Sequence, residues 1–218
     1  MKRILVILGD YYHDAELARQ SFQAVAEPYV KAGKLQLTYA GVEQCEQELL
    51  KAPDLVVLFA GNYIDPRAEQ VRYWMTEQIA ERIEKYVADG GAWLAWHSGL
   101  ASYPEEGDYI RMLRGCFLMH PDPSQVTYTP LPGTDLGALG EAFSFMDEHY
   151  FVACKEDETN VFLRSSSVDG EAVAGWHHSY GAGRVGCMTP AHSSEGLLKP
   201  QFIEVMRSLV AWCAKLES

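Results

Sequence analysis

Three short segments of this chain are apolar at every position: Ile4-Leu8, Leu55-Ala60 and Ala92-Trp96. A strand with one wet face alternates apolar and polar residues, so a strand without alternation must be covered on both faces. Segments of helical period lie between them. After Asp14, an N-cap residue type, Leu17, Phe22, Val25 and Tyr29 recur at near-helical spacing until Gly33. Leu35-Tyr39 alternates as a second strand. Met75, Ile79, Ile83, Tyr86 and Val87 mark an amphipathic helix closed by Asp89-Gly90-Gly91, with Glu81 four residues before Lys85 to pair with it. This strand–helix repetition predicts a mainly parallel sheet between two helix layers, an α/β three-layer sandwich.

The second half has a different grammar. Phe143-Phe145, His149-Cys154, Asn160-Arg164, Ala172-His178 and Arg184-Thr189 read as short strands that extend the sheet in antiparallel sense. Gly181-Ala182-Gly183 supplies a hairpin turn. Pro200 opens a last helix with Phe202, Val205, Met206, Leu209, Cys213 and Leu216 on one face. Gly115-Gly140, rich in Pro and Gly, reads as one long irregular segment. With no repeat, low-complexity tract or linker, the 218 residues fit a single domain, 1-218.

Composition removes several function classes. Thirty acidic against eighteen basic residues give a net charge of −12, which repels phosphate backbones and anionic lipid and argues against nucleic-acid and membrane partners. No stretch approaches the ~20 apolar residues of a membrane span. The apolar run after Lys2-Arg3 is too short for a signal-peptide core. Five cysteines, odd in number and without a C-x-x-C pair, suit a reducing cytoplasm better than a disulfide framework. There is no P-loop, and Asp10-Tyr11-Tyr12-His13 offers a carboxylate and bulk where a flavin phosphate needs hydroxyls and glycine.

In an open parallel sheet, ligands bind beyond the carboxyl ends of the strands. Asp10, Tyr11 and His13 follow the first strand, Asn62 and Tyr63 the third, His97 the fourth, and His192 the last. Three histidines, 13, 97 and 192, thereby fall on one edge, and histidine serves both proton transfer near neutral pH and metal ligation. Ala95-Trp96-His97-Ser98-Gly99 has the outline of a Gly-x-Cys-x-Gly nucleophile elbow with His97 in the cysteine position. Histidine there is a base, an electrophile or a ligand, without thiolate chemistry. A serine elbow centred on Ser98 fails because Trp96 and Leu100 stand where glycines are needed.

Taken together, several motifs resemble the trehalose-utilisation (ThuA-like) family, which has the class I glutamine amidotransferase-like, flavodoxin-like fold. They are Tyr12-His13-Asp14, Gly90-Gly91 before a strand ending in His97, Phe117…His120-Pro121, and Asp147-Glu148-His149-Tyr150. Trp176 ahead of Gly181-Ala182-Gly183-Arg184-Val185, with His192 behind, completes the set. Ala95, Trp96 and Ala191 depart from the usual pattern and alter pocket shape. The resemblance implies a cytoplasmic sugar-metabolism protein with His13, His97, Glu148 and His192 at its site, and a small-molecule sugar as partner.

Such a set suits proton abstraction beside a sugar carbonyl, as in a carbohydrate isomerase or epimerase. The other use of the same set is to hold a divalent metal such as zinc in a metal-assisted hydrolase or lyase, although no H-E-x-x-H spacing points to metal. A non-catalytic sugar-binding or regulatory module is the alternative from another class. His120 and Tyr150 join Asp10, Tyr11, Asn62 and Tyr63 as substrate-binding candidates. Asp147 and Glu148 alternate along one segment, so one carboxylate faces inward, and the family motif favours Glu148. His177-His178 alternate likewise, so at most one serves any site. A homo-oligomer is compatible with all of these features.

Overall fold

A computed structural model describes residues 1–216. The fold is mixed α/β. Strands β1 (Lys2–Leu8), β2 (Leu35–Ala40), β3 (Leu55–Phe59) and β4 (Ala92–Trp96) lie in the order β2-β1-β3-β4, all parallel. The unbroken apolar runs have the predicted cause. Ile4 and Val6 pack on one face with Phe22 and Val25 of helix α1 (Ala15–Lys31). Leu5 and Ile7 pack on the other with Cys45 of helix α2 (Cys45–Leu49) and with Ile83 and Val87 of helix α3 (Glu77–Ala88). Each such fully buried aliphatic side chain contributes about 1.5–3 kcal/mol of transfer free energy.

Local signals set the helix ends. Asp14 caps α1 by accepting from Glu16 N and Leu17 N, and Thr76 caps α3 through Ile79 N. Lys85 pairs forward with Asp89 at 2.9 Å rather than back with Glu81. An exposed lysine gains little from either neighbour, so spacing alone does not choose between them.

Helix α4 (Asp108–Leu113) leads into β5 (Gly115–Met119) and β6 (Ser124–Pro130). The expected irregular segment therefore carries two strands, and within it residues 120–123 and 131–140 lack regular structure. Its Pro and Gly content masked the alternation that buries Val126 and Tyr128 while Gln125 and Thr129 stay outside. β7 (Phe143–Asp147), β8 (Phe151–Cys154), β9 (Asn160–Ser167), β10 (Gly170–Tyr180) and β11 (Gly183–Met188) follow. β11 returns beside β4 in parallel, and the sheet then changes sense through β10-β9-β6-β7. β5 and β8 form a separate antiparallel ribbon. Helices α5 (Ser194–Leu197) and α6 (Pro200–Cys213) close the α1 side of the sheet. The carboxyl ends of β1, β3, β4 and β11 share one edge, and among the described residues no helix is long and apolar enough to cross a membrane.

Candidate functional site

The edge is built by tight exits from the strands. After β1 the chain turns at Gly9, whose φ of +88° and the 2.6 Å separation a Cβ would have from Ala15 Cβ exclude any side chain. Asp10 follows as a clamp. Its Oδ1 accepts from Tyr12 N at 2.8 Å and His13 N at 3.1 Å and sits 2.6 Å from His13 Nδ1. Its Oδ2 accepts from Gly61 N, beyond β3, at 2.6 Å. Burial alone would raise the Asp10 pKa, but the His13 ring and the N–H groups of Gly61 and Tyr12 outweigh it and hold the carboxyl below its ordinary value.

His97 opens a 3₁₀ turn, His97–Leu100, with φ +47°, a left-handed conformation uncommon for a residue with a Cβ. Gly99 lets that turn sit on β3, because a Cβ there would overlap the Leu58 carbonyl oxygen. The ring is fully buried, stacked on Tyr150 at 4.1 Å between centroids, and its Nδ1 donates to the Thr189 carbonyl at 2.6 Å. Burial pushes the His97 pKa down to about 4, so the imidazole is neutral at pH 7. Since a carbonyl only accepts, the proton resides on Nδ1 and the Nε2 lone pair faces Glu148 at 3.6 Å.

Glu148 reaches this point because its neighbour Asp147 is held the other way. Tyr128 Oη donates to Asp147 Oδ2 at 2.7 Å, and Asp147 Oδ1 accepts from His192 N at 2.9 Å. Burial raises the Asp147 pKa to about 6. Glu148 Oε2 then lies 3.2 Å from His192 Nδ1, 3.6 Å from His97 Nε2 and 3.8 Å from His120 Nε2. Burial would raise the Glu148 pKa, yet His192 and His97 hold it well below the usual carboxylate range. The Glu148 carboxylate in turn raises the pKa of His192.

The rings of His13, His97 and His192 meet edge to face, with centroids 4.9–5.5 Å apart. One donor atom from each, with a Glu148 oxygen, lies within 4.8 Å of all the others. Three imidazoles and a carboxylate so placed can pass protons or hold a metal cation.

A cavity of about 420 Å³ opens over the cluster, lined by Asp10, Tyr11, Tyr12, His13, Tyr63, His120, Glu148, Tyr150 and His192. Phe117, Ser98 and Ser102, which are not among the expected site residues, also line it. Phe117 packs on Tyr150 at 4.4 Å, and its place in the Phe117…His120 motif was the available signal. Asn62, expected to bind substrate, is instead buried, and its Oδ1 accepts from Met75 N at 3.0 Å, closing the excursion after β3. A larger groove of about 870 Å³ lies at the amino ends of the strands, but charges there pair among themselves, Lys2 with Asp54, Arg82 with Glu46 and Lys85 with Asp89.

The side chains of the other histidines turn away from the cluster. His149 bonds both Ser165 and Ser167 at 2.8 Å. His178 Nε2 donates to the Met112 carbonyl at 3.0 Å, and His177 faces Asp135 at 2.9 Å beneath Trp212.

The family model for trehalose utilisation, ThuA, matches residues 3–213. No curated protein matches the sequence. Among solved structures, a ThuA-like protein from Parabacteroides merdae ATCC 43184 superposes with a TM-score of 0.73 at 12% identity, covering 98% of this chain and 90% of that one. A cytoplasmic protein from Salmonella typhimurium LT2 gives 0.65 at 14% identity, with 97% and 99% covered. A cold-adapted β-galactosidase from Rahnella sp. R3 gives 0.65 at 13% identity over all of this chain but 32% of its own. At such identities the likeness is one of fold.

Proposed function

Because the chain belongs to the trehalose-utilisation (ThuA) family, we propose that it is a cytoplasmic sugar-metabolism enzyme acting on a sugar or keto-sugar through His97, Glu148, His192 and His13. One observation carries the reading: a single carboxylate oxygen, Glu148 Oε2, stands 3.2 Å and 3.6 Å from two imidazole nitrogens at the floor of an aromatic cavity. A hydrogen beside a carbonyl is acidic enough to be removed by a positioned base, and nearby positive charge stabilises the enolate that results. Returning the proton to the same or the neighbouring carbon gives epimerisation or isomerisation. The surrounding Tyr11, Tyr63, Tyr150 and Phe117 rings offer apolar faces and hydroxyls suited to an uncharged polyol. The cytoplasmic location draws on the Salmonella typhimurium neighbour, which is described as cytoplasmic.

The test is hydrogen exchange in D₂O followed by NMR across a panel of sugars and keto-sugars, disaccharides included. Wild-type protein should exchange the hydrogen beside the carbonyl, and Glu148→Gln should slow this by roughly 10²–10⁴-fold. Wild-type protein that binds a sugar but neither exchanges nor converts any of the panel would instead be a non-catalytic sugar-binding module.

A further inference from the structure

We propose that His13 Nε2, His97 Nε2, His192 Nδ1 and the Glu148 carboxylate are the ligands of one divalent transition-metal ion at the floor of the cavity. The four residues come from four separate places, after β1, after β4, after β11 and between β7 and β8, yet their donor atoms lie within 4.8 Å of one another. Donors around a tetrahedral ion with bonds of about 2.1 Å are about 3.4 Å apart. The measured 3.2 Å and 3.6 Å from Glu148 Oε2 to His192 and His97 bracket that spacing.

Hydrogen bonding separates a metal centre from a chance cluster. Each of the three inward ring nitrogens is buried and makes no well-formed hydrogen bond, although Glu148 Oε2 stands 3.2 Å from His192 Nδ1 and 3.6 Å from His97 Nε2. His97 is the clearest case, fully buried with its ring locked between Tyr150 and Phe59 and its Nε2 aimed at the cluster. A buried polar atom left unpaired is costly, and three converging on one point call for a shared acceptor of lone pairs, which a cation is. The outward nitrogens match this role. His97 Nδ1 donates to the Thr189 carbonyl and His13 Nδ1 to the Asp10 carboxylate, both at 2.6 Å. Metal-bound histidines are oriented in this way, with the far N–H on a carbonyl or carboxylate. Asp10 is itself fixed by the N–H groups of Gly61 and Tyr12, so the orientation is built rather than incidental.

The donor types select the ion. Three imidazoles and one carboxylate are too nitrogen-rich for Ca²⁺ or Mg²⁺, which take oxygen ligands, and the set lacks the thiolate that favours Cu(I). The class is Zn²⁺, Co²⁺, Ni²⁺, Fe²⁺ or Mn²⁺. With all four donors bound, a sugar hydroxyl or carbonyl oxygen entering from the cavity would be a fifth ligand, and the ion would there supply Lewis-acid polarisation of that oxygen. With Glu148 held as a ligand, the base nearest the cavity is His120, 3.8 Å from Glu148 Oε2 and stacked on Tyr150.

The inference deepens the sugar-enzyme reading, and its test needs no substrate. Untagged protein would be analysed for metals by mass spectrometry, stripped with a chelator, and titrated with Co²⁺ and Zn²⁺ while visible absorption and melting temperature are followed. The expected result is close to one ion per chain, a Co²⁺ ligand-field band and a metal-dependent rise in melting temperature. Glu148→Gln and His97→Gln should each weaken binding by at least about 100-fold, while His149→Gln, a folded control, should leave it unchanged. A folded, stripped wild-type protein that binds neither ion at submillimolar concentration would overturn the proposal. So would binding that survives both ligand substitutions. Metal-free protein that still converts sugars would sink the metal and spare the enzyme reading. Metal-loaded protein that converts none would do the reverse.

Discussion

The seven histidines divide into two regions that share a chemistry and differ in what surrounds it. His13, His97, His120 and His192 sit at the carboxyl edge, three of them with inward nitrogens aimed at a common point and all of them grouped near Glu148. His149, in the turn between β7 and β8, and His177 and His178, in β10, are buried too, but each answers to its own partner: two serines, Asp135 and the Met112 carbonyl. Burial and lone pairs are therefore not what makes a site. Convergence is, and it is supplied by strand ends lying side by side.

The largest expected effect would break this contrast if it failed. His97→Gln should lower metal affinity and sugar turnover by at least about 100-fold, whereas His149→Gln should cost only about 1–2 kcal/mol of stability in a denaturant titration. Equal losses from the two would show that the edge cluster is structural. Next comes Asp10→Asn. It keeps the clamp's shape but weakens the hold on the His13 N–H, so metal affinity should fall by roughly 10–100-fold without being abolished. His120→Gln sharpens the division inside the cluster itself: metal content should stay at the wild-type level while turnover falls by about 10²-fold.

The buried region should reveal itself through acid. Burial holds His178 at a pKa of about 4, against the ordinary 6.5 of an unfolded chain. Between those values the unfolded chain binds the extra proton and the folded one does not, so stability is complete above about pH 6.5 and is lost as pH falls toward 4. His178→Gln should flatten that slope by roughly 2–3 kcal/mol between pH 7 and pH 4, measured by urea denaturation at each pH. An unchanged slope would mean that His178 is protonated in the fold. The smallest change is Tyr128→Phe. Losing its bond to Asp147 should cost about 1 kcal/mol and disturb His192 only slightly, which a small drop in melting temperature with near-normal metal affinity would show.

Much of the edge was readable because the rule behind it is local. His13, His97 and His192 each follow an apolar strand within a few residues, and parallel strands put such positions together. Glu148 was reached through its motif, because alternation says only that Asp147 and Glu148 face opposite ways. Asn62 misled for the same local reason. It stands just past β3, but its amide turns back to Met75, thirteen residues on, a partner that spacing does not reveal. β5 and β6 were hidden beneath prolines and glycines, although the burial of Val126 and Tyr128 follows a plain two-residue period.

By itself the sequence determined that β1, β3 and β4 are covered on both faces, and hence the layered sheet and the edge on which its loops emerge. Periodicity is a property of neighbouring residues, so it survives without knowledge of the rest of the chain. Only the tertiary structure decided that Glu148 reaches His97 and His192, that Tyr128 turns Asp147 away, and that Thr189 and Asp10 set which ring nitrogens face inward. Several of these contacts join residues dozens of positions apart, the Thr189 carbonyl and His97 being separated by 92, and they exist only once β11 has paired with β4. The chemistry at the edge depends on the direction of single lone pairs, and direction is fixed by partners that no local pattern encodes.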